Sequence, residues 1–183
     1  VSFDSRSVVA GQLFVPVVAA RDGHEFIASA VERGAAAYLT AHATRPEDGG
    51  TAIEVADTTE AFLDTARWAR GLLADRVVGI TGSVGKTSTK DILAALCAPH
   101  RRTAASQGSF NNELGVPLTI CRLEPETEVL IAELAMRGLG QIAWLASFAR
   151  PEIGLITNIA PVHLELLETV ENGPDGRAAV DGG

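Results

Sequence analysis

One stretch decides the fold of the second half of this chain: Gly79-Ile-Thr-Gly-Ser-Val-Gly-Lys-Thr87. The apolar run Val77–Thr81 predicts a buried strand, and the residues from Lys86 to about Cys97 have helical periodicity. Glycines between a strand and a helix let backbone N–H groups turn around an anion, and the helix N-terminus adds a partial positive charge. The stretch therefore predicts a phosphate-binding loop.

The spacing Gly82-x-x-Gly85-Lys86-Thr87 is a shortened form of the common phosphate loop, which has a glycine where Ile80 stands here. The lysine of such a loop reaches the β- and γ-phosphates of ATP, and the hydroxyl residue holds Mg²⁺. A plain glycine turn with a surface lysine is the alternative, but it does not account for the flanking strand and helix. The predicted ATP-binding residues are Gly82, Ser83, Val84, Gly85, Lys86, Thr87 and Ser88.

Working outward, the sequence predicts two more strands, Val129–Leu134 and Ile153–Thr157, with the helix Gly140–Ala149 between them. Strands that alternate with helices pair in parallel through right-handed crossovers. We therefore predict an α/β phosphate-loop domain with a mostly parallel sheet. Such a sheet needs further strands after Asn158, so we expect this domain to be incomplete in the chain.

Polar residues follow these strands at the carboxyl edge of the sheet, where open α/β sheets bind ligands. Glu133 ends a run of four apolar residues, and a carboxylate buried there needs a cation. His163 follows the next strand, so carboxylate and imidazole predict a Mg²⁺ or Mn²⁺ site beside the triphosphate. A salt bridge from Glu133 to Arg137 and a structural role for His163 are the alternatives. The predicted catalytic residues are Lys86, Glu133 and His163, and the predicted metal ligands are Thr87, Glu133 and His163.

The run Ser109-Phe-Asn-Asn-Glu-Leu-Gly-Val-Pro117 predicts a loop that enters a helix near its last three residues. Asn111 and Asn112 can both donate and accept hydrogen bonds, which suits a polar substrate or a phosphate. An asparagine-rich turn is the alternative.

The first part of the chain predicts a small α/β domain, with a boundary near residue 75. Its predicted elements are the strand Leu13–Val18, the helix His24–Arg33, the strands Ala35–Thr40 and Thr51–Val55, and a helix from Asp57 or Thr58 to about Ala74. We expect residues 1–75 and 76–172 to be separate domains. The tail 173–183 has four glycines and no apolar periodicity, and we expect it to be aberrant.

The composition excludes several classes of protein. A formal net charge of −8 leaves no basic stripe to neutralise nucleic-acid phosphates. No apolar run reaches the roughly 18 residues that a membrane span needs. Cys97 and Cys121 lack metal-ligand spacing and are too few for a disulfide framework. We expect a cytoplasmic, monomeric protein.

Taken together and in this order, several stretches resemble the Mur ligase family over residues 1 to about 172. The stretches that carry the resemblance are Asp4-Ser-Arg6, Gly11-Gln-Leu-Phe-Val15, Asp22-Gly-His-Glu-Phe-Ile27, Thr81-Gly-Ser-Val-Gly-Lys-Thr87, Phe110-Asn-Asn-Glu-Leu-Gly-Val-Pro-Leu-Thr119, Glu133-Leu-Ala-Met-Arg-Gly-Leu-Gly-Gln-Ile142, Arg150-Pro-Glu-Ile-Gly-Leu-Ile-Thr-Asn158 and Pro161-Val-His-Leu-Glu165.

The resemblance implies an ATP-dependent ligase of peptidoglycan precursor synthesis that joins an amine to a carboxylate through an acyl phosphate. Within the family, the Asn-Asn-Glu run and the Gly-Gln-Ile after Glu133 favour members that add D-alanyl-D-alanine to UDP-N-acetylmuramoyl-tripeptide. The resemblance also assigns Lys86 and Thr87 to the triphosphate and Mg²⁺, and Glu133 and His163 to a second metal. It places Asn111 and Asn112 near phosphate and substrate, and Ser5 and Arg6 at the uridine.

Two departures from the family pattern lead us to expect that this chain alone is inactive as a ligase. The family has a carbamylated lysine after the His-Leu-Glu segment, whereas residues 173–183 contain no lysine. The rest of the central domain and the amine-binding domain also have no counterpart. Four alternatives remain. Two are enzymes of the same family, namely another Mur-type amino-acid ligase and a folate polyglutamylating enzyme. The others are a non-catalytic nucleotide-binding or UDP-sugar-binding fragment and an unrelated phosphate-loop ATPase or kinase. Asp4-Ser-Arg6 disfavours the folate enzyme.

Overall fold

The computed structural model of the chain describes residues 1–44, 48–72, 76–108, 110–136 and 138–159. The chain divides into two compact units, Val1–Thr65 and Ala66–Gly183. All pairs of named strands in both units are parallel, which confirms the predicted fold class. None of the helices in the described ranges has both the length and the apolar character needed to cross a bilayer.

The first unit contains a three-stranded sheet in the order β1-β2-β3. Its strands are β1 (Leu13–Phe14), β2 (Ala37–Thr40) and β3 (Ala52–Glu54), and its helical segments are two 3₁₀ helices, Ser5–Ser7 and Gly23–Phe26, followed by α1 (Ile27–Glu32) and the start of α2 (Thr58–Leu72). The buried residues Phe14, Ile27 and Tyr38 form the centre of its hydrophobic cluster.

All three strands and the first α-helix of this unit are shorter than the sequence pattern predicts, and the first strand and that helix differ most. The first strand ends at Phe14 rather than Val18, since the N–H of Val15 donates to the carbonyl of Ser2 and Pro16 has no N–H to offer a neighbouring strand. The helix expected from His24 begins as a 3₁₀ turn, because the Asp22 carboxylate accepts the N–H of His24 at 3.0 Å. Regular α-helix starts only at Ile27.

The second unit contains a four-stranded parallel sheet in the order β5-β6-β4-β7. Its elements are β4 (Arg76–Thr81), α3 (Lys86–Cys97), β5 (Thr103–Ala105), α4 (Gly115–Cys121), β6 (Val129–Glu133), α5 (Gln141–Ala149) and β7 (Ile153–Ile156). The helix expected from Lys86 has the predicted bounds. The sequence pattern missed β5, a three-residue strand of small side chains.

Strand register brings the chemically interesting residues to one edge of this sheet. Ile80 of β4 lies opposite Glu133 of β6 on one side and Leu155 of β7 on the other. Because all strands are parallel, the loop after Thr81, the end of β6 and the residues after β7 emerge at the same edge. The sheet therefore assembles a site from three segments that are far apart in sequence.

One helix and one buried cation complete the packing of this sheet. The α3 side chains Leu93, Ala94 and Cys97 pack against the cluster around Ile80 and Ile131. The buried Arg70 guanidinium donates to the carbonyls of Ala149 at 2.7 Å and of Arg150 at 3.2 Å. These bonds satisfy carbonyl groups at the C-terminus of α5, where the helix itself offers no donor.

Candidate active site

The predicted phosphate loop has the backbone of an anion cradle. Gly82 and Gly85 have φ angles of 136° and 86°, a region that side chains rarely adopt. The N–H of Ser83 donates to the carbonyl of Asn158 at 2.9 Å, and the Thr157 hydroxyl donates to the carbonyl of Val84 at 2.7 Å. Residues beyond β7 thus hold the loop in shape from one side.

Helix α3 begins directly after the loop and points its N-terminus at the site. Gly85 is its N-cap residue and supplies no side chain to the first helical N–H groups. The Lys86 ammonium donates to the carbonyl of Gly82 at 2.7 Å, so it lies over the loop. Backbone donors, the helix dipole and one ammonium group together favour an anion. The adjoining cleft of about 370 Å³ is lined by Gly85, Lys86, Thr87, Ser88, Asn111, Glu133 and Ala135.

Glu133 lies at the floor of this cleft and is only 1% exposed. One carboxylate oxygen accepts the hydroxyl proton of Thr87 at 2.8 Å, and the other accepts the side-chain amide of Asn111 at 2.7 Å. Its backbone N–H donates to the hydroxyl oxygen of Ser106 at 3.2 Å. Two segments, the start of α3 and residues 106–111, therefore meet at Glu133.

These residues fit a hard divalent cation. The Glu133 carboxylate and the Thr87 hydroxyl bring oxygen atoms together, which are the ligands that Mg²⁺ prefers. The Thr87 hydroxyl donates a hydrogen bond to Glu133, and its oxygen lone pairs can therefore bind a cation. Within the described residues, Glu133 makes no salt bridge, and a cation would compensate its buried charge. His163, the third predicted ligand, and Arg137, the alternative partner, lie outside the described residues.

The other predicted binding residues have local partners. The Asn112 side-chain oxygen accepts the N–H of Gly115 at 2.8 Å and so caps the start of α4. In the first unit, Ser5 is buried and Arg6 is exposed. Arg6 forms a two-bond pair with Asp4, with both N–O distances at 2.9 Å. The structure thus brings Lys86, Thr87, Asn111 and Glu133 to one cleft. Asn112 instead bonds the first residue of α4.

The family model of the Mur ligase middle domain matches residues 80–173, just over half of the chain. This chain belongs to the Mur ligase family. The match begins one residue before the end of β4 and includes the phosphate loop, Asn111 and Glu133. The resemblance drawn from the sequence motifs is therefore confirmed at the level of the family.

Curated relatives of this chain include two proteins named UDP-N-acetylmuramoyl-tripeptide–D-alanyl-D-alanine ligase. The protein from Synechocystis sp. is 42% identical over 169 residues, which is 90% of this chain and 37% of that protein. The Escherichia coli protein is 41% identical over 167 residues, covering 90% of this chain and 36% of that protein. The chain thus spans less than half the length of these relatives.

Two solved structures share this fold. A crystal structure of MurF from Acinetobacter baumannii has a TM-score of 0.87 at 27% identity and covers 98% of this chain and 40% of that one. MurF from Thermotoga maritima, solved in complex with ADP, has a TM-score of 0.83 at 32% identity. The match covers 98% of this chain and 42% of the Thermotoga maritima chain.

Sequence reasoning missed two residues of this Mur ligase site, Lys90 and Ser106. Both are buried, and Ser106 contacts Glu133 directly. A signal for Lys90 was present in the sequence, because it is in helical register with Leu93, Ala94 and Cys97, the packed face of α3. A lysine on such a face needs buried acceptors. Ser106 gives no comparable signal.

The first unit holds a second polar cluster, Asp22, His24 and His42, at spacings compatible with a metal. Buried His24 bonds the Asp22 carboxylate through Nδ1 at 2.6 Å and accepts the N–H of Ala41 through Nε2 at 3.1 Å. Both ring nitrogens of His24 are thus engaged. Hydrogen bonds from the backbone N–H and then from the side chain of His24 hold the pKa of Asp22 down to about 2. We interpret the cluster as a clamp between the 3₁₀ turn and the end of β2.

We expect Gly82→Ala to destroy the phosphate loop. A Cβ atom at residue 82 would lie 2.2 Å from the Thr157 hydroxyl and 3.0 Å from the backbone of Asn158, at a φ of 136°. Gly85→Ala is the matched control, because its Cβ meets nothing within 4 Å and only the strain of a positive φ remains. Chemical denaturation should show that Gly82→Ala lowers the free energy of unfolding clearly more than Gly85→Ala does. Calorimetry should show that Gly82→Ala no longer binds Mg-ADP. Equal effects of the two variants would contradict this packing.

Proposed function

We propose that this chain carries the UDP-sugar-binding and ATP-binding parts of a ligase that adds D-alanyl-D-alanine to UDP-N-acetylmuramoyl-tripeptide. The observation that carries the proposal is the convergence of Lys86, Thr87 and Glu133 on one cleft at the N-terminus of α3. The names of relatives that are 41% and 42% identical support the same reaction. The reaction belongs to peptidoglycan precursor synthesis, in the cytoplasm.

The reaction has two steps. A carboxylate oxygen of the tripeptide attacks the γ-phosphorus of ATP, and ADP leaves with the electron pair of the broken P–O bond. The amine of D-alanyl-D-alanine then attacks the acyl carbon, loses a proton and expels phosphate. The first step is needed because a free carboxylate is a poor acyl donor, and the phosphoryl group turns one of its oxygens into a leaving group. In the first step two anions must meet, and in the second the leaving phosphate gains negative charge, so cationic groups accelerate both.

Each residue of the cleft has a place in this scheme. The N–H groups of Val84 to Thr87 and the Lys86 ammonium bind the phosphates, and Lys86 exchanges its bond to Gly82 for a phosphate oxygen. The N–H of Ser83 stays bonded to Asn158 and shapes the loop. Thr87 and Glu133 hold Mg²⁺, which supplies charge neutralisation at the phosphoryl oxygens. Asn111 keeps the Glu133 carboxylate oriented. We assign His163 to the cation, Ser88 to the phosphates, and Asn112 to the substrate on the resemblance alone.

In the first unit we propose that Ser5 and Arg6 bind the uridine portion of the acyl donor. Arg6 is exposed and is held by Asp4, so its guanidinium is fixed in place while one edge remains open to solvent. Such a fixed planar donor suits a nucleotide or its phosphates.

Lys86→Ala should lower the affinity for Mg-ADP by tenfold or more, since a charge-assisted bond to phosphate contributes roughly 1.5–3 kcal/mol. The measurement is calorimetry on the 183-residue chain. Arg102→Ala is the control, because it removes one positive charge directly before β5, at the opposite edge of the same sheet. Equal affinities of the wild type and Lys86→Ala would remove the phosphate-loop assignment.

The acyl-donor assignment has its own test, which is calorimetric titration of UDP-N-acetylmuramoyl-tripeptide into the chain. We expect it to bind more tightly than UDP, because the sugar and peptide add contacts to those of the nucleotide. Affinity no better than that of UDP would contradict the proposed acyl donor and leave only nucleotide binding.

A further inference from the structure

Lys90 is the second lysine of α3 and is buried, with 3% of its surface exposed. Its ammonium contacts the carbonyl of Ser106 at 2.6 Å, the carbonyl of Gly108 at 3.2 Å and the carboxylate of Asp91 at 3.1 Å. Two of its N–H groups therefore donate to backbone carbonyls, and the adjacent Asp91 carboxylate balances its charge.

Burying an ammonium group in this way costs free energy that its hydrogen bonds have to offset. The two carbonyls that accept from Lys90 belong to Ser106 and Gly108, which lie in the segment that leaves β5. Gly108 has a φ of 51°, so the chain turns within this segment. Lys90 therefore fixes the path of the backbone where it turns from the sheet edge toward Asn111.

This segment supplies two of the contacts to Glu133. Ser106 accepts the backbone N–H of Glu133 with its hydroxyl while its carbonyl is held by Lys90. Asn111, five residues on, donates its side-chain amide to the carboxylate of Glu133, and its carbonyl accepts the N–H of Ala135. A continuous chain of contacts thus runs from Lys90 through Ser106 to the backbone of Glu133, and Asn111 of the same segment bonds its carboxylate.

We propose that Lys90 is a positioning residue for the cation site and acts through Ser106 and Asn111 on Glu133. The proposal rests on the proposed function, since it takes Glu133 to hold the divalent cation that accompanies the nucleotide. The two lysines of α3, four residues apart, then have different roles. Lys86 binds the phosphates from the cleft, and Lys90 orients the cation ligand from inside the protein.

A general structural role and a positioning role predict different results for Lys90→Met, which removes the charge and keeps an unbranched apolar stem. A structural role lowers the affinity for the cation and for the nucleotide together. A positioning role lowers cation affinity alone, because the bonds from Lys86 to Gly82 and from Ser83 to Asn158 hold the phosphate loop even when residues 106–111 shift.

The test is titration of Mn²⁺ into the ADP-saturated 183-residue chain, followed by electron paramagnetic resonance, together with calorimetry of ADP in the presence of a chelator. Lys90→Met should bind Mn²⁺ about tenfold more weakly, as expected for loss of a group that orients a ligand, with metal-free ADP affinity within about twofold of wild type. Lys90→Arg, which keeps the charge and the donors, should recover part of the loss. Arg102→Met is the charge-matched control and should leave Mn²⁺ affinity unchanged.

Wild-type Mn²⁺ affinity in Lys90→Met, or a parallel loss of metal-free ADP binding, overturns the proposal. If Lys90→Met folds poorly, Ser106→Ala decides the matter, because it breaks the same chain of contacts next to Glu133 and removes only a hydroxyl. Unchanged Mn²⁺ affinity in Ser106→Ala then overturns it. Absence of ADP binding in the wild type is a failure of the proposed function instead, and Mn²⁺ titrated without nucleotide still compares Lys90→Met with the wild type.

Discussion

The buried carboxylate of Glu133 is the constraint on which the candidate site depends. A carboxylate that is 1% exposed is stable only where hydrogen bonds or a cation replace the water it has lost. The structure meets this need with Thr87 from the phosphate loop helix and Asn111 from the loop after β5, and fixes the backbone through Ser106. Each of these partners therefore lies at the cleft. The contacts that stabilise the buried Glu133 carboxylate are the same contacts that assemble the site.

Strand register makes this convergence possible. Glu133 is the last residue of β6 and lies opposite Ile80, so its side chain is level with the start of the phosphate loop. A slip of one residue would turn Glu133 to the other face of the sheet and leave its carboxylate without Thr87. The apolar residues Ile80 and Ile131, both fully buried, oppose such a slip. The core therefore positions the chemistry as well as stabilising the unit.

Local signals predicted the parts of this site that depend on neighbouring residues. The bounds of α3 follow from Gly85 and the helical period after it, and the burial of Glu133 follows from the four apolar residues before it. Features set by distant contacts were not predictable in the same way. The strand β5 is recognised only by its pairing with β6, and Lys90 is understood only through its bonds to Ser106 and Gly108. Membership of the Mur ligase family came from several motifs in a fixed order, and no single motif would have established it.

The claim at the centre of this account is that Glu133 holds the divalent cation of a bound nucleotide. The direct measurement is the affinity of the chain for ADP with and without Mg²⁺, by calorimetry, for the wild type and Glu133→Gln. Glutamine keeps the size and one acceptor oxygen for Asn111, its amide N–H can donate to the Thr87 oxygen in reverse, and the charge is removed. We expect Mg²⁺ to tighten ADP binding in the wild type and to have little effect in Glu133→Gln, with equal metal-free affinities. A Glu133→Gln variant that responds to Mg²⁺ as strongly as the wild type would contradict it.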